Sequence, residues 1–230
     1  AKTGTTIPAE AVVWSGGEAR TSGEPGIPFS DVVEKAYLER ISLAASGYYK
    51  TPLIHWDWNV GQGRPFHYFA FGAAVSEVEA DLATGMSRVL RVDILHDVGR
   101  SLNPGIDRGQ IEGGFVQGLG WLTSEELVWD ASGRLLTHGA STYQIPAFSD
   151  APVDFRVRLL EQAEQPRTVG HSKAVGEPPL MLALSVREAL RDAVGAALPP
   201  GEAVNLRSPA TAEAIYRAAH PGRFPEQETR

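Results

Sequence analysis

Two stretches of this chain set reactive side chains among residues chosen for backbone geometry. The first is Gly176-Glu177-Pro178-Pro179, an acid between a residue with no side chain and two that lack an N–H. A carboxylate held there can face open space at the start of a helix. It can act as a general base if it is ionised and within hydrogen-bond reach of its proton. The same acid can equally be an ordinary helix-start residue, favoured by the helix dipole; the residues alone leave both readings open. The second stretch, residues 109–120, interleaves Gln110, Glu112 and Gln117 with Gly109, Gly113, Gly114, Gly118 and Gly120. Each glycine inside a helix costs up to ~1 kcal/mol relative to alanine. Such a helix needs a reason, either close packing on a sheet or close approach of a ligand.

Other chemistries are excluded. Neither G-x-G-x-x-G nor G-x-x-x-x-G-K-[ST] occurs, so no dinucleotide or P-loop site can be argued, and H-E-x-x-H and G-x-S-x-G are absent too. The six histidines include no two at ligand spacing. No metal ligand is assigned. His96-Asp97 is adjacent in an expected strand, which sends the two side chains to opposite faces and argues against a catalytic pair. There is no cysteine, which excludes disulfides, thiolate zinc sites and thiolate-held iron–sulfur clusters on this chain. This composition fits a cytoplasmic protein. A net charge of −7 with scattered Lys and Arg argues against nucleic acid as a partner. No apolar run is long enough to cross a membrane.

The elements that must position these residues follow from periodicity and turn signals. Residues 1–29 read as an irregular lead-in with one strand, Glu10–Trp14, residues 30–220 as the folded core and 221–230 as a tail. The start at Ala1, in a polar turn-rich stretch, suggests a cut from a longer polypeptide or a processed chain. Asp31 and Glu34 resemble a capping box opening a helix over Val32–Ala45. Tyr68–Asp81 and Ser87–Asp97, joined by Ala83-Thr84-Gly85, predict a hairpin. Leu90, Val92 and Ile94 alternate with Arg91 and Asp93, which predicts one covered face. A helix is expected from about Ile106 to Leu122, short strands at Glu126–Trp129 and Arg134–Leu136, and further strands near Asp154–Leu160 and Arg167–His171. Pro178 and Pro179 open a helix over Leu180–Ala197. Val204–Leu206 reads as a last strand and Pro209–Ala219 as a last helix. Hairpins mixed with helices imply an α+β fold, with mixed, mainly antiparallel sheets and helices packed on one face.

A series of words along the chain resembles the molybdenum hydroxylases, the xanthine dehydrogenase and aldehyde oxidase family. They are Gly47-Tyr48-Tyr49-Lys50-Thr51-Pro52, then Phe66-His67-Tyr68-Phe69-Ala70-Phe71-Gly72-Ala73-Ala74 running into Glu77-Val78-Glu79, then Asp97-Val98-Gly99-Arg100-Ser101-Leu102-Asn103-Pro104. The glycine-rich stretch follows, then Ser141-Thr142-Tyr143-Gln144-Ile145-Pro146, Ser172-Lys173-Ala174-Val175-Gly176-Glu177-Pro178-Pro179 and Ser208-Pro209-Ala210-Thr211. They occur in the family's order and cover nearly everything after residue 30. The first two words favour the xanthine dehydrogenase side of the family.

The resemblance implies the C-terminal part of a molybdopterin-binding domain. It implies a molybdopterin cofactor whose molybdenum carries oxo, sulfido and hydroxyl ligands. The glutamate of the Gly-Glu-Pro-Pro word, here Glu177, takes the proton from the hydroxyl, the oxygen attacks an electron-poor carbon, and hydride passes to the sulfido group. A helix N-terminus would favour this carboxylate, and burial beside an anionic centre would raise its pKa. Gln110 matches a glutamine that contacts the pterin, with Gln117 a weaker match. Gly113, Gly114 and Gly176 are expected to leave room for the cofactor. Lys173 is read as a surface or packing residue without a role. The activity implied is oxidation of hypoxanthine and xanthine to urate. Purine-orienting residues belong to earlier segments of the molybdenum subunit. Iron–sulfur clusters, FAD and NAD belong to other domains or subunits, in a dimer of heterodimers. The alternatives are an aldehyde or aromatic-heterocycle hydroxylase and a non-catalytic scaffold that holds cofactor or a partner subunit.

Overall fold

The computed structural model describes residues 7–223. The chain divides into two compact units, residues 1–52 and 53–230.

In the first unit, β1 (Val13–Ser15), β2 (Glu18–Arg20) and β3 (Ile27–Pro28) form an antiparallel sheet in that order. Gly16 and Gly17, both at positive φ, make the two-residue turn between β1 and β2. The expected strand Glu10–Trp14 is therefore displaced, and Ala9–Ala11 is a single 3-10 turn. Helix α1 spans Phe29–Leu38 rather than Val32–Ala45. Its end is set by Arg40 at φ 59°: the N–H of Arg40 donates to Tyr37 O and that of Ile41 to Ala36 O. These bonds close the helix as a Schellman motif. A glycine usually marks that position, so an arginine there gave no stop signal. The capping box does not form either, since α1 has already begun at Phe29 and its cap position is Pro28.

In the second unit, a small hairpin pairs β4 (His55–Asp57) with β5 (Gln62–Arg64). The main sheet has the order β6-β7-β8, from β6 (Gly72–Ala80), β7 (Ser87–His96) and β8 (Asp154–Leu159). β6 and β7 are antiparallel with Gly72 opposite His96, and β8 runs parallel to β7 with Ile94 opposite Val157. The sheet is thus mixed, with the expected alternation on β7: Val92 and Ile94 are buried.

That covered face carries two helices. Helix α2 (Pro104–Thr123) begins at Asn103, whose side chain accepts from the Ile106 N–H, with Pro104 pre-set for the first turn. Ile111, Phe115, Leu119 and Leu122 share one face and enter the core, where Phe115 meets Phe155 of β8 at 5.4 Å between ring centroids. Helix α3 (Leu184–Gly195) adds Val186, Leu190 and Val194 at helical spacing, and α4 (Ala212–Ala219), packed on α3, brings Ile215 and Ala218 into the same core. Burial of these aliphatic side chains, each contributing roughly 1.5–3 kcal/mol, outweighs the propensity cost of the glycines in α2.

Several expected elements are shorter or absent. Arg167–His171 is not a strand, because Gly170 (φ 67°) and His171 (φ 60°) are both left-handed and break extended pairing. The pair 126–129 and 134–136 reduces to one bridge, Trp129 with Leu135. Residues 204–206 make no strand, although Leu206 is buried and its carbonyl accepts from Arg187 Nη2 at 2.6 Å. The helix expected over 180–197 splits into a 3-10 turn, Pro178–Ala183, followed by α3. The last helix starts at its Thr211 cap, later than Pro209. Among the described residues no helix is long and apolar enough to cross a membrane. The expected tail begins at residue 221, and 224–230 lie outside the described residues.

Candidate functional site

The glycines of α2 sort by direction. Gly118 points into the protein, where a Cβ would lie 2.2 Å from Leu180 O and 2.9 Å from Ala183 Cβ. Gly114 faces the same neighbour, with Pro179 Cβ at 3.2 Å and Gly176 O at 3.6 Å from a built Cβ. These glycines let the Pro178–Ala183 turn lie directly on α2. Gly114 therefore does not open onto free space, contrary to the expectation for it. Gly109 and Gly113 have nothing within 4 Å, and neither does Gly176. Gln110, Gly113 and Gln117 are exposed, and their spacing puts them on one stripe of α2. The structure thus sets Gly114 of α2 against Gly176 and Pro179, which flank Glu177 in the chain.

Glu177 occupies the cap position of the Pro178–Ala183 turn with φ −93° and ψ −40°, and its side chain makes no capping hydrogen bond. The reason is local. Pro178 and Pro179 have no N–H, and the first available donor, Leu180 N, goes to the Glu177 carbonyl at 3.2 Å. The carboxylate is exposed and is left for another use. The side chain is not a capping group, while the reading as a helix-start acid favoured by the dipole needs no such bond.

The segment before Glu177 is held in a way the sequence did not reveal. Lys173, expected at the surface or in packing, has a side chain only 9% exposed and an ion pair with Asp97, which is 5% exposed. Its Nζ also donates to Phe69 O at 2.9 Å. Asp97 is not paired with His96: it leaves the end of β7, accepts from the Gly99 N–H at 2.8 Å and meets Lys173. His96 turns into the core with Val92 and Ile94, and burial holds its pKa below the usual imidazole value. A lysine, an aspartate and a glycine inside two matched words were the available signal; nothing in their spacing ties residue 97 to residue 173.

An exposed amide offers both donors and an acceptor to a polar heterocycle edge. Gly113 and Gly176 both face open space. Among the described residues no group of three or more His, Cys, Asp or Glu could hold a metal ion.

Comparison with known proteins shows the family of the chain. The profile of the molybdopterin cofactor-binding domain matches residues 1–152. The xanthine dehydrogenase of Dictyostelium discoideum is 50% identical over 197 residues, 83% of this chain and 14% of that protein. The xanthine dehydrogenase/oxidase of Felis catus is 50% identical over 200 residues, 84% of this chain and 15% of that protein. The chain therefore spans about a seventh of the length of these curated relatives. Among solved structures, quinoline 2-oxidoreductase from Pseudomonas putida 86 superposes with a TM-score of 0.64 at 29% identity, over 91% of this chain and 26% of that one. The aldehyde oxidoreductase of Desulfovibrio gigas shares the fold, with a TM-score of 0.64 at 24% identity over 81% of this chain and 19% of that one. The chain belongs to the molybdopterin cofactor-binding domain family and corresponds to part of the molybdenum-binding region of the xanthine dehydrogenases.

Proposed function

We propose that this chain completes the molybdenum site of a purine hydroxylase that oxidises hypoxanthine and xanthine to urate, with Glu177 as its general base. The observation that carries the reading is the Glu177 carboxylate, exposed and unused for capping, on a turn whose Gly176 and Pro179 lie against Gly114 of α2. When bound, molybdopterin supplies an oxygen nucleophile and a metal that takes up two electrons. The chain's own residues bind and position. Gln110 hydrogen-bonds the pterin edge, Gly113 and Gly176 admit it, and Gly114 and Gly118 seat the turn that carries Glu177. The Glu177 carboxylate accepts the proton whose loss makes the nucleophile and holds it during turnover. Electrons leave through iron–sulfur and flavin groups on other domains or subunits, since the chain has no cysteine to hold a cluster. Preceding segments of the molybdenum subunit orient the purine.

A second reading, hydroxylation of an aldehyde or an aromatic heterocycle, is favoured by the likeness to quinoline 2-oxidoreductase. The identity of about half to xanthine dehydrogenases supports the purine. The test is a substrate panel on the intact enzyme. Hypoxanthine and xanthine should give the highest kcat/KM, and preference for quinoline or an aldehyde would replace the first reading with the second.

A further inference from the structure

The geometry points to Lys173 as a positioning residue for Glu177, acting through a buried latch with Asp97. This inference rests on the reading of Glu177 as the base. The segment that delivers Glu177 runs past the turn after β7 and is pinned to it by backbone bonds. The Arg100 N–H donates to His171 O at 2.8 Å and the Lys173 N–H to Val98 O at 2.8 Å, while Gly99 bridges Ser172. Gly99 has φ 62°, and a Cβ there would stand 2.6 Å from His171 O, so the two strands of chain touch at a place only glycine permits.

The Lys173 side chain then ties three pieces together. Its ammonium reaches Asp97 at the end of β7, donates to the Phe69 carbonyl at 2.9 Å and lies 5.3 Å from the centroid of the Phe71 ring. One residue on, the Ala174 N–H donates to the Tyr68 hydroxyl at 2.8 Å. Beyond Ala174, the next backbone hydrogen bond among the described residues is from Leu180 to the Glu177 carbonyl. A Cβ built on Gly176, immediately before the acid, would meet nothing within 4 Å, and the Gly176 carbonyl lies 3.6 Å from one built on Gly114. The placement of Glu177 is therefore set from two sides, by the Lys173 latch before it and by the Pro179–Gly114 contact after it. Burying an ammonium and a carboxylate together gives little stability over an apolar pair, so stability alone does not account for the pair.

The test uses the intact, cofactor-loaded enzyme. Lys173→Met alone would strand the Asp97 charge, so the decisive protein is the double variant Lys173→Met/Asp97→Asn, which removes both charges and keeps an acceptor for the Gly99 N–H. It should keep molybdenum content and thermal stability close to wild type, while kcat falls about 10- to 100-fold, as for a reacting group misplaced by about an ångström. KM should change little, and the acid limb of the kcat/KM profile, which reports ionisation of the base, should move. Lys173→Arg, which keeps the cation, should recover part of kcat. A double variant with wild-type kcat and an unmoved pH profile would overturn the latch and leave the pair a structural one. Glu177→Gln is measured in parallel. If it is inactive while the double variant is normal, only the latch fails; if it turns over normally, the base assignment fails and the latch with it.

Discussion

Glu177 is the residue on which the functional reading turns, and its chemistry follows from its neighbours. Two prolines remove the N–H groups that a helix-start acid would satisfy, so the carboxylate is not consumed locally. Glu177→Gln keeps shape and polarity and removes basicity. In the intact enzyme it should leave molybdenum content unchanged and lower kcat by at least the ~10²–10⁴ that a general base contributes. Near-normal turnover with full cofactor would remove Glu177 from the mechanism. His96 offers a separate residue-scale prediction. Burial favours its neutral form, so its pKa in the folded protein lies below the value of about 6.5 for a free imidazole. The unfolded chain then binds the proton first, and stability present above pH ~6.5 is lost as pH falls toward the lowered folded value. His96→Leu should shrink the difference in denaturation midpoint between pH 7.5 and 5.5, and an unchanged difference would assign the acid sensitivity elsewhere. The acid at 177 stood out in the sequence because its word names it. The Lys173–Asp97 pair was not, because an ion pair across such a separation leaves no periodic trace.

At the scale of elements, α2 does two jobs, and the sequence could state the question but not divide the answer. Its glycine content signalled close approach of something. Only the direction of each glycine separates packing from an open cradle: Gly118 abuts Leu180, while Gly113 faces free space. Gly118→Val should therefore unfold or loosen the domain, because overpacking typically costs ~1–3 kcal/mol and backbone atoms here cannot yield easily. Gly113→Val should leave circular dichroism and thermal stability nearly unchanged, apart from a small propensity effect, and lower molybdenum content. Metal analysis and melting on the same preparations check both, and parallel losses in the two variants would defeat the distinction. Elsewhere the elements read well where periodicity ruled, as in β7 and α2. They read poorly where one residue's backbone decided. Arg40 in a left-handed conformation ended α1 early, and Gly170 with His171 turned an expected strand into a bend.

At the scale of the whole molecule, the chain carries more exposed apolar surface than a free-standing domain needs. Trp58 is 87% exposed, Phe148 100% and Val153 90%, and Phe66, Phe69 and Phe71 each exceed 60%. Exposed aliphatic atoms are ordinary on soluble proteins, but large aromatic side chains held this far out mark surfaces meant for contact. The curated relatives are roughly seven times longer than this chain. The mixed α+β architecture was legible from hairpin and helix signals, whereas which faces are left bare depends on packing against segments this sequence does not contain. Expressed alone, the 230 residues should self-associate or bind a hydrophobic dye, retain little molybdopterin and oxidise no xanthine with any acceptor dye. Supplying the rest of the molybdenum subunit should suppress association and restore cofactor. Light scattering, dye fluorescence and metal content on the two preparations report this directly. A monomeric, dye-silent and cofactor-loaded isolated chain would mean that the exposed aromatics cover nothing and that the site is complete without its neighbours.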